Sequence, residues 1–253
     1  MNVCFDCTQC GRCCHDLRLT LSVAEARVWA ARGHQVDLLV EAWAWPEDMV
    51  TGDAATQWRR DTTFAVQIGD VPFRVNLRLV ASHVGACPHL LADMRCGNYE
   101  ARPRICRIYP LESRPFEAMV PERRKCPPEA WDAALPVLER DGVIADDQAA
   151  AVVVAHRAAM VADAPLKASL VKVMGLSETA MAGEGLAVYN VAPAVLVEAL
   201  DVAVRGAPEK APPWSIVTNR EATRAMLAEL ECPALLVAAG RRYLASFADE
   251  GGV

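Results

Sequence analysis

Four cysteines stand within eight residues near the start of the chain, in the run Cys7-Thr8-Gln9-Cys10-Gly11-Arg12-Cys13-Cys14. Each C-x2-C step folds readily into a turn whose two sulfurs converge on one metal ion. The repeated step, C-x2-C-x2-C, is also the spacing with which bacterial ferredoxins supply three ligands to an iron–sulfur cluster. Packing in a hydrophobic core requires no such spacing. The quartet therefore predicts a metal centre.

The other cysteines continue this pattern through the first half of the chain. Of ten cysteines, nine lie between Cys4 and Cys126, and only Cys232 follows them. The first six residues lack the basic and apolar regions of a signal peptide, so we expect a cytoplasmic protein. Disulfides are rare in a reducing cytosol, where clustered cysteines more often bind metal or carry out redox chemistry.

Eight of the ten thiols are candidate metal ligands, and Cys4 and Cys232 are expected to be structural. The candidates are Cys7, Cys10, Cys13, Cys14, Cys87, Cys96, Cys106 and Cys126. Eight thiolates would fill two four-thiolate sites, although any single distal cysteine can instead be an ordinary core residue. Adjacent side chains diverge, so Cys14 either serves a second site or is simply buried.

The ligand set is compatible with two metals, an iron–sulfur cluster of the 4Fe–4S type or zinc. Three regularly spaced thiols favour the cluster slightly, while paired C-x2-C turns also satisfy a tetrahedral zinc site. The three thiols Cys7, Cys10 and Cys13 need a fourth ligand from farther along the chain. Cys106 is the preferred candidate, because prolines on both sides stiffen its segment.

The segment from Cys87 to Cys126 is rich in proline, arginine and cysteine and has little periodicity, so we expect metal coordination to order it. Residues 95–125 carry eight basic and four acidic side chains. Arg102 and Arg107 are predicted to lie just outside the ligands, where guanidinium groups offset thiolate charge and donate to sulfur. His15 and His89 adjoin the cysteine motifs and are more simply explained as bystanders.

The pattern of helix and strand signals predicts an α+β protein: a small cysteine-rich metal-binding module with a β-hairpin over residues 1–130, followed by an all-helical C-terminal region over residues 131–253. In the first part we expect a helix over 23–32, a weaker helix over 38–45, and a hairpin with strands over 63–68 and 71–79. In the second part, Gly183–Gly185 marks a turn and 207–213 a linker. The helices predicted there cover 129–139, 147–163, 166–174, 193–205, 219–231 and 234–247, with Asp146 and Thr218 as N-caps.

The cysteine motifs resemble those of the YkgJ-type CxxCxxCC cysteine-cluster family. The resemblance is carried by the N-terminal quartet, by Cys87-Pro88-x-Leu90, and by the run from Cys96-Gly97 through Arg102-Pro103-x2-Cys106-Arg107-x-Tyr109-Pro110. It covers about residues 4–130 and implies a zinc- or iron-chelating domain. The flagellin lysine N-methylases carry a similar cluster, and this likeness implies that iron–sulfur chemistry is an option here.

Several function classes lack support in the sequence. With 32 acidic against 26 basic side chains, the chain is acidic, which disfavours DNA or RNA as a partner. No apolar run is long enough for a membrane span, so no membrane association is expected. No H-E-x-x-H, Walker loop, G-x-S-x-G or dinucleotide-binding motif is found, and catalytic residues stay unknown. The leading expectation is a metal-binding protein; the alternatives are an iron–sulfur-dependent enzyme acting on a protein substrate and a structural zinc module whose helical half docks a partner protein.

Overall fold

The computed structural model describes residues 2–46, 49–112, 114, 117–206, 213–237 and 242–246, and within them places twelve strands in two sheets together with seven helices. The strands are β1 (Asn2–Cys4), β2 (Arg18–Leu21), β3 (Val36–Ala44), β4 (Phe64–Ile68), β5 (Val71–Ser82), β6 (Val137–Arg140), β7 (Val143–Ile144), β8 (Glu178–Met181), β9 (Gly185–Asn190), β10 (Ser215–Thr218), β11 (Ala234–Leu236) and β12 (Tyr243–Ala245). The helices are α1 (Val23–Ala31), α2 (Ala54–Thr62), α3 (Arg104–Ile108), α4 (Asp147–Ala162), α5 (Ala164–Met174), α6 (Pro193–Arg205) and α7 (Glu221–Glu229).

The larger sheet combines strands from both halves of the chain. Its main order is β11-β10-β8-β3-β5-β2, with β4 also paired to β5, β9 to β3, and β12 to β9. The pairs β11–β10, β10–β8 and β8–β3 are parallel, and the other pairs in this sheet are antiparallel. Strand β3 lies at the centre, since β5 covers one edge and β9 and β8 share the other. The sheet thereby ties the first part of the chain to the second.

The predicted all-helical C-terminal region is wrong. Seven strands, β6 to β12, lie beyond residue 131, so the protein is mixed α/β and not a small module followed by helices. The short parallel strands β8, β10 and β11 are only three or four residues long, too short to show a strand period. They acquire their structure by adding to the sheet that β3 and β5 have begun.

Individual helices of this region have mixed outcomes. The helices predicted over 147–163, 166–174 and 193–205 are confirmed as α4, α5 and α6, with Asp146 accepting from the Ala149 amide at 2.7 Å as N-cap. The helix over 219–231 is shorter, and Thr218 ends β10, so Arg220 is the N-cap. The helix over 129–139 is wrong: a short 3-10 turn precedes β6. The helix over 234–247 is wrong where described, because β11 and β12 lie there, while 238–241 and 247 lie outside the described residues.

The turn at 183–185 is confirmed between β8 and β9, and the linker predicted at 207–213 lies outside the described residues apart from its last residue. In the first half, the hairpin is confirmed as β4 and β5. The helix predicted over 38–45 is wrong, because these residues form part of β3. Leu38 to Ala42 is buried without a break, as in a strand covered on both faces.

The helix predicted over 23–32 is confirmed as α1, and it begins with a complete capping box. The Ser22 hydroxyl accepts from the Glu25 amide at 3.3 Å, and the Ser22 amide donates to the Glu25 carboxylate at 2.9 Å. The backbone amides of Ser22 and Glu25 are therefore both hydrogen-bonded within the first turn of the helix. The expected apolar face of α1 is the buried one, formed by Val23, Ala26, Trp29 and Ala30.

Two apolar clusters hold these elements together. The larger one lies on the main sheet and includes the fully buried side chains Leu38, Phe73, Leu77 and Ile216. The smaller cluster forms between α3 and α4 and contains Ile108 and Val153, so the short helix that carries Cys106 packs on the second half of the chain. Among the described residues no single helix has the length and apolar character to cross a bilayer; α4 and α5, which meet at a 45° bend, reach them only when taken together.

Candidate metal centre

The N-terminal quartet folds as a tight turn around Gly11. Gly11 adopts a left-handed backbone conformation with φ of +68°, and residues Arg12–Cys14 form a 3-10 turn. The Cys14 amide donates to the Gly11 carbonyl at 2.9 Å, and Nδ1 of His15 lies 3.1 Å from the same oxygen. The loop therefore gathers its thiols by backbone geometry that begins at a glycine.

The segment that carries Cys87 lies beside this turn. The Cys87 amide donates to the Cys14 carbonyl at 2.7 Å, and His15 pairs with Ala86 in an isolated antiparallel bridge. The Asp16 amide donates to the Gly85 carbonyl at 2.9 Å, and the Gly85 amide donates to Oδ1 of Asp16 at 2.7 Å. These bonds bring two cysteine motifs together that are separated by about seventy residues in sequence.

The next two motifs fold back onto the first two. Leu90 pairs with Cys96, and the Gly97 amide donates to the His89 carbonyl at 2.7 Å, which closes a small turn between Cys87 and Cys96. Cys106 lies in the middle of α3, where its amide donates to the Pro103 carbonyl at 3.0 Å. All ten cysteines are free thiols; among the eight candidates Cys7 is exposed and the others are half-buried.

Charge interactions divide the eight candidate thiols into two groups that meet at Cys13. The first group contains Cys13, Cys14, Cys87, Cys96 and Cys106: burial raises the pKa of Cys106 to about 12, and the charges of Cys87, Cys13 and Cys96 contribute. The second group contains Cys7, Cys10 and Cys126: burial raises the pKa of Cys126 to about 11, and Cys13, Cys7 and Cys10 add to this rise. Cys106 thus belongs with Cys13, whereas Cys7 and Cys10 act on Cys126.

The surroundings of Cys13 favour its ionised form. A hydrogen bond with the adjacent Cys14 thiol, 4.0 Å away between sulfurs, lowers the pKa of Cys13 to about 6 and raises that of Cys14. The positive charges of Arg102 and Lys125 also lower the pKa of Cys13. A thiolate is the form of cysteine that binds metal, so a sulfur with a lowered pKa stands where the two groups meet.

Comparison with known proteins agrees with this site. Residues 6–127 match the family model CxxCxxCC, described as "Putative zinc- or iron-chelating domain". The chain contains a CxxCxxCC domain. It spans the eight candidate thiols, and it supports a metal cofactor bound to this protein. No curated protein and no solved structure matches the chain.

Of the two arginines predicted beside the ligands of the CxxCxxCC domain, Arg102 lies close enough for its charge to act on thiols. It lowers the pKa of both Cys13 and Cys106, and its guanidinium stacks 3.6 Å from the Tyr99 ring centroid. Arg107 is exposed in the last turn of α3, and no hydrogen bond joins it to a thiol in the part of the chain that the structure describes. The role of Arg107 stays a prediction.

The ring of His89, expected to be a bystander, packs on other rings. It meets the ring of His34 edge to face at 5.1 Å, beside Trp29. Cys4 lies in β1, and Cys232 is buried in the larger core. Across the described residues, no three cysteine, histidine, aspartate or glutamate side chains converge at the distances that a single metal ion requires.

Two further groups in the CxxCxxCC domain face the second thiol group, and neither was singled out as a site residue from the sequence. The Tyr109 hydroxyl forms a hydrogen bond with the Cys126 thiol. This hydrogen bond lowers the pKa of Cys126, whereas burial raises it. The same hydroxyl accepts from the Lys125 amide at 2.8 Å, and Nζ of Lys125 donates to the His15 carbonyl at 3.0 Å. Tyr109 belongs to the quoted cysteine motif, so its position in that motif was the sequence feature that could have marked it as a site residue.

Replacing Gly11 with alanine is expected to destabilise the domain by about 2–4 kcal/mol, adding a clash to the left-handed strain of about 1–2 kcal/mol. A methyl group at Gly11 would stand 2.7 Å from the Met94 carbonyl oxygen. Gly33→Ala is the matched control, because Gly33 has φ of +81° and nothing within 4 Å of its added methyl group. Urea unfolding of both variants checks this; equal losses would show that the contact with Met94 is unimportant.

Proposed function

We propose that the CxxCxxCC domain holds a 4Fe–4S cluster through Cys13, Cys87, Cys96 and Cys106. The observation that carries this proposal is that Cys13, Cys87 and Cys96 lie near enough to Cys106 for their charges to raise its pKa, while no three of these thiols reach a single ion. Around tetrahedral zinc, sulfurs lie about 3.8 Å apart, because each Zn–S bond is about 2.3 Å long. The four thiolates of a cluster bind four different iron atoms and stand farther apart.

The donor chemistry also fits a cluster. Thiolates are the ligands that iron–sulfur clusters and zinc take. Burial raises the pKa of Cys87 and of Cys106, so binding must compensate the cost of ionising them, and a multiply charged cluster does this. The charge of Arg102 offsets part of the negative charge that four thiolates bring.

The second thiol group, Cys7, Cys10 and Cys126, has a separate assignment in this proposal. The charge of Cys13, in the first group, acts on Cys126 of the second group, and Cys7 is exposed. We therefore place these three thiols outside the cluster, and the loss of any one of them should leave the cluster in place. When bound, a cluster in the first group supplies one-electron redox chemistry and a cross-link between the three segments.

Anaerobic purification of the full chain tests the proposal. We expect about four iron and four sulfide per chain, with a broad visible absorption that dithionite bleaches. Cys96→Ser is expected to abolish the absorption, while the matched variant Cys126→Ser retains it. Zinc with neither iron nor colour would contradict the cluster, and a folded protein that contains no metal and ignores chelators would contradict metal binding altogether.

A further inference from the structure

Arg104, two residues before Cys106, is attached to the start of α1. Its backbone amide donates to Oε1 of Glu25 at 2.7 Å. Its guanidinium donates to Oγ of Ser22 at 2.7 Å and lies 3.4 Å from Oε2 of Glu25. Ser22 is buried, and Glu25 and Arg104 are half-buried, so these bonds are shielded from water.

The partners of Arg104 are the two residues of the α1 capping box. The Glu25 carboxylate already accepts from the Ser22 amide at 2.9 Å and from the Ser22 hydroxyl at 2.8 Å. A capping box normally satisfies only its own helix end. Here it also receives a backbone amide and a guanidinium from a segment seventy-nine residues away, so a rigid helix start becomes the docking point for α3.

Helix α3 depends on such a docking point. It is five residues long, and an isolated helix of that length is not stable in water. One side of α3 packs on α4 through Ile108, and the Arg104 end is held by α1. Cys106 lies between these two attachments, in the half-buried thiol group with Cys13, Cys87 and Cys96.

We infer that Arg104 is a positioning residue that, through Ser22 and Glu25, sets where the Cys106 sulfur stands relative to the other three thiols. This inference rests on the proposed cluster site. It also applies to the metal-free protein, where the same contacts limit how far α3 moves. The sequence pointed to Arg102 and Arg107 as the arginines beside the ligands, whereas Arg104 lies between them.

Arg104→Met is expected to weaken metal binding by about 10–100-fold, the range that outer-shell partners of metal ligands typically contribute. Arg104→Lys should recover part of this loss, because an ammonium group still reaches the carboxylate. Glu25→Gln retains a capping box, since glutamine also serves at that position, but removes the charge that holds Arg104. Arg27→Met is the matched control: it removes an ion pair with Asp201 from the exposed face of the same helix.

The experiment has two measurements: metal affinity by competition with a chelator, and the alkylation rate of Cys106 by iodoacetamide in the metal-free protein, followed by mass spectrometry. We expect Arg104→Met and Glu25→Gln to lower the metal affinity. We also expect both to raise the alkylation rate of Cys106 at least several-fold over wild type and Arg27→Met. Wild-type affinity or wild-type alkylation of Cys106 in both variants would overturn the inference. If Arg104→Met does not fold, Glu25→Gln decides. A wild-type protein that binds no metal would contradict the proposed function, while the alkylation rates would still decide the role of Arg104.

Discussion

Cys13→Ser is expected to lower metal affinity by more than about 100-fold, beyond the 10–100-fold that outer-shell partners contribute. Cys13 is the thiol at which both groups meet, since its charge acts on Cys106 and on Cys126. The metal would join cysteines from separate segments, so losing it should also loosen these segments. Metal analysis gives the first result, and hydrogen exchange gives the second through the amides of Gly97 and Leu91, which are bonded within the segment.

Two controls make this result specific. Cys14→Ser alters the neighbouring thiol, which lies outside the four proposed ligands, and should retain most of the metal. Cys4→Ser alters a thiol of β1 and should leave metal content unchanged. If Cys14→Ser and Cys4→Ser lost as much metal as Cys13→Ser, the division of the thiols argued above would be wrong.

Local signals were sufficient for the elements whose structure is decided within a few residues. Helix α1 is an example: Ser22 and Glu25 complete its capping box, and its buried face has the expected period. The hairpin of β4 and β5 is another, because Gly69 with φ of +58° supplies the turn between two strand-like runs. The N-terminal quartet is a third, since its spacing alone indicated metal.

Longer-range structure was not accessible in this way. Strand β3 is mostly apolar and is buried without a break from Leu38 to Ala42, and in sequence such a segment looks the same as a buried helix of that length. Strands β8 and β10 exist because the sheet continues beyond β3, which no local window of sequence contains. The grouping of the thiols also depends on distant parts of the chain. Spacing in the sequence indicates that Cys106 is a candidate ligand, but the thiols near it are decided by where α3 docks.

A buried lysine in the second half of the chain contributes to a further property, the pH dependence of stability. Lys167 in α5 is only 3% exposed, and burial lowers its pKa from 10.5 to about 8. Asp163 lies one turn earlier, where its carboxylate accepts from the Val23 amide at 2.7 Å, and its charge partly counters the effect of burial on the lysine. The charge of Arg78 acts in the opposite direction and lowers the pKa of Lys167 further.

Through the lowered pKa of Lys167, this residue makes a contribution to stability that increases as the pH rises from about 8 to about 10.5. In this range the unfolded chain binds a proton that the folded protein releases, and the cost of burying the charge is fully present below pH 8. It amounts to at most about 3 kcal/mol, because each pKa unit corresponds to about 1.4 kcal/mol.

Lys167→Met is therefore expected to stabilise the protein at pH 7 by up to about 3 kcal/mol and to remove this part of the pH dependence, because methionine fills similar space without a charge. Lys172→Met, on the same helix but half-buried, is the matched control and should leave the pH profile as it is. Urea unfolding under reducing conditions at pH 7 and pH 9.5 measures the difference between each variant and wild type, in which the titration of other groups cancels. Parallel profiles for wild type and Lys167→Met would show that the folded protein holds this lysine at an ordinary pKa, and hence that water reaches its amino group.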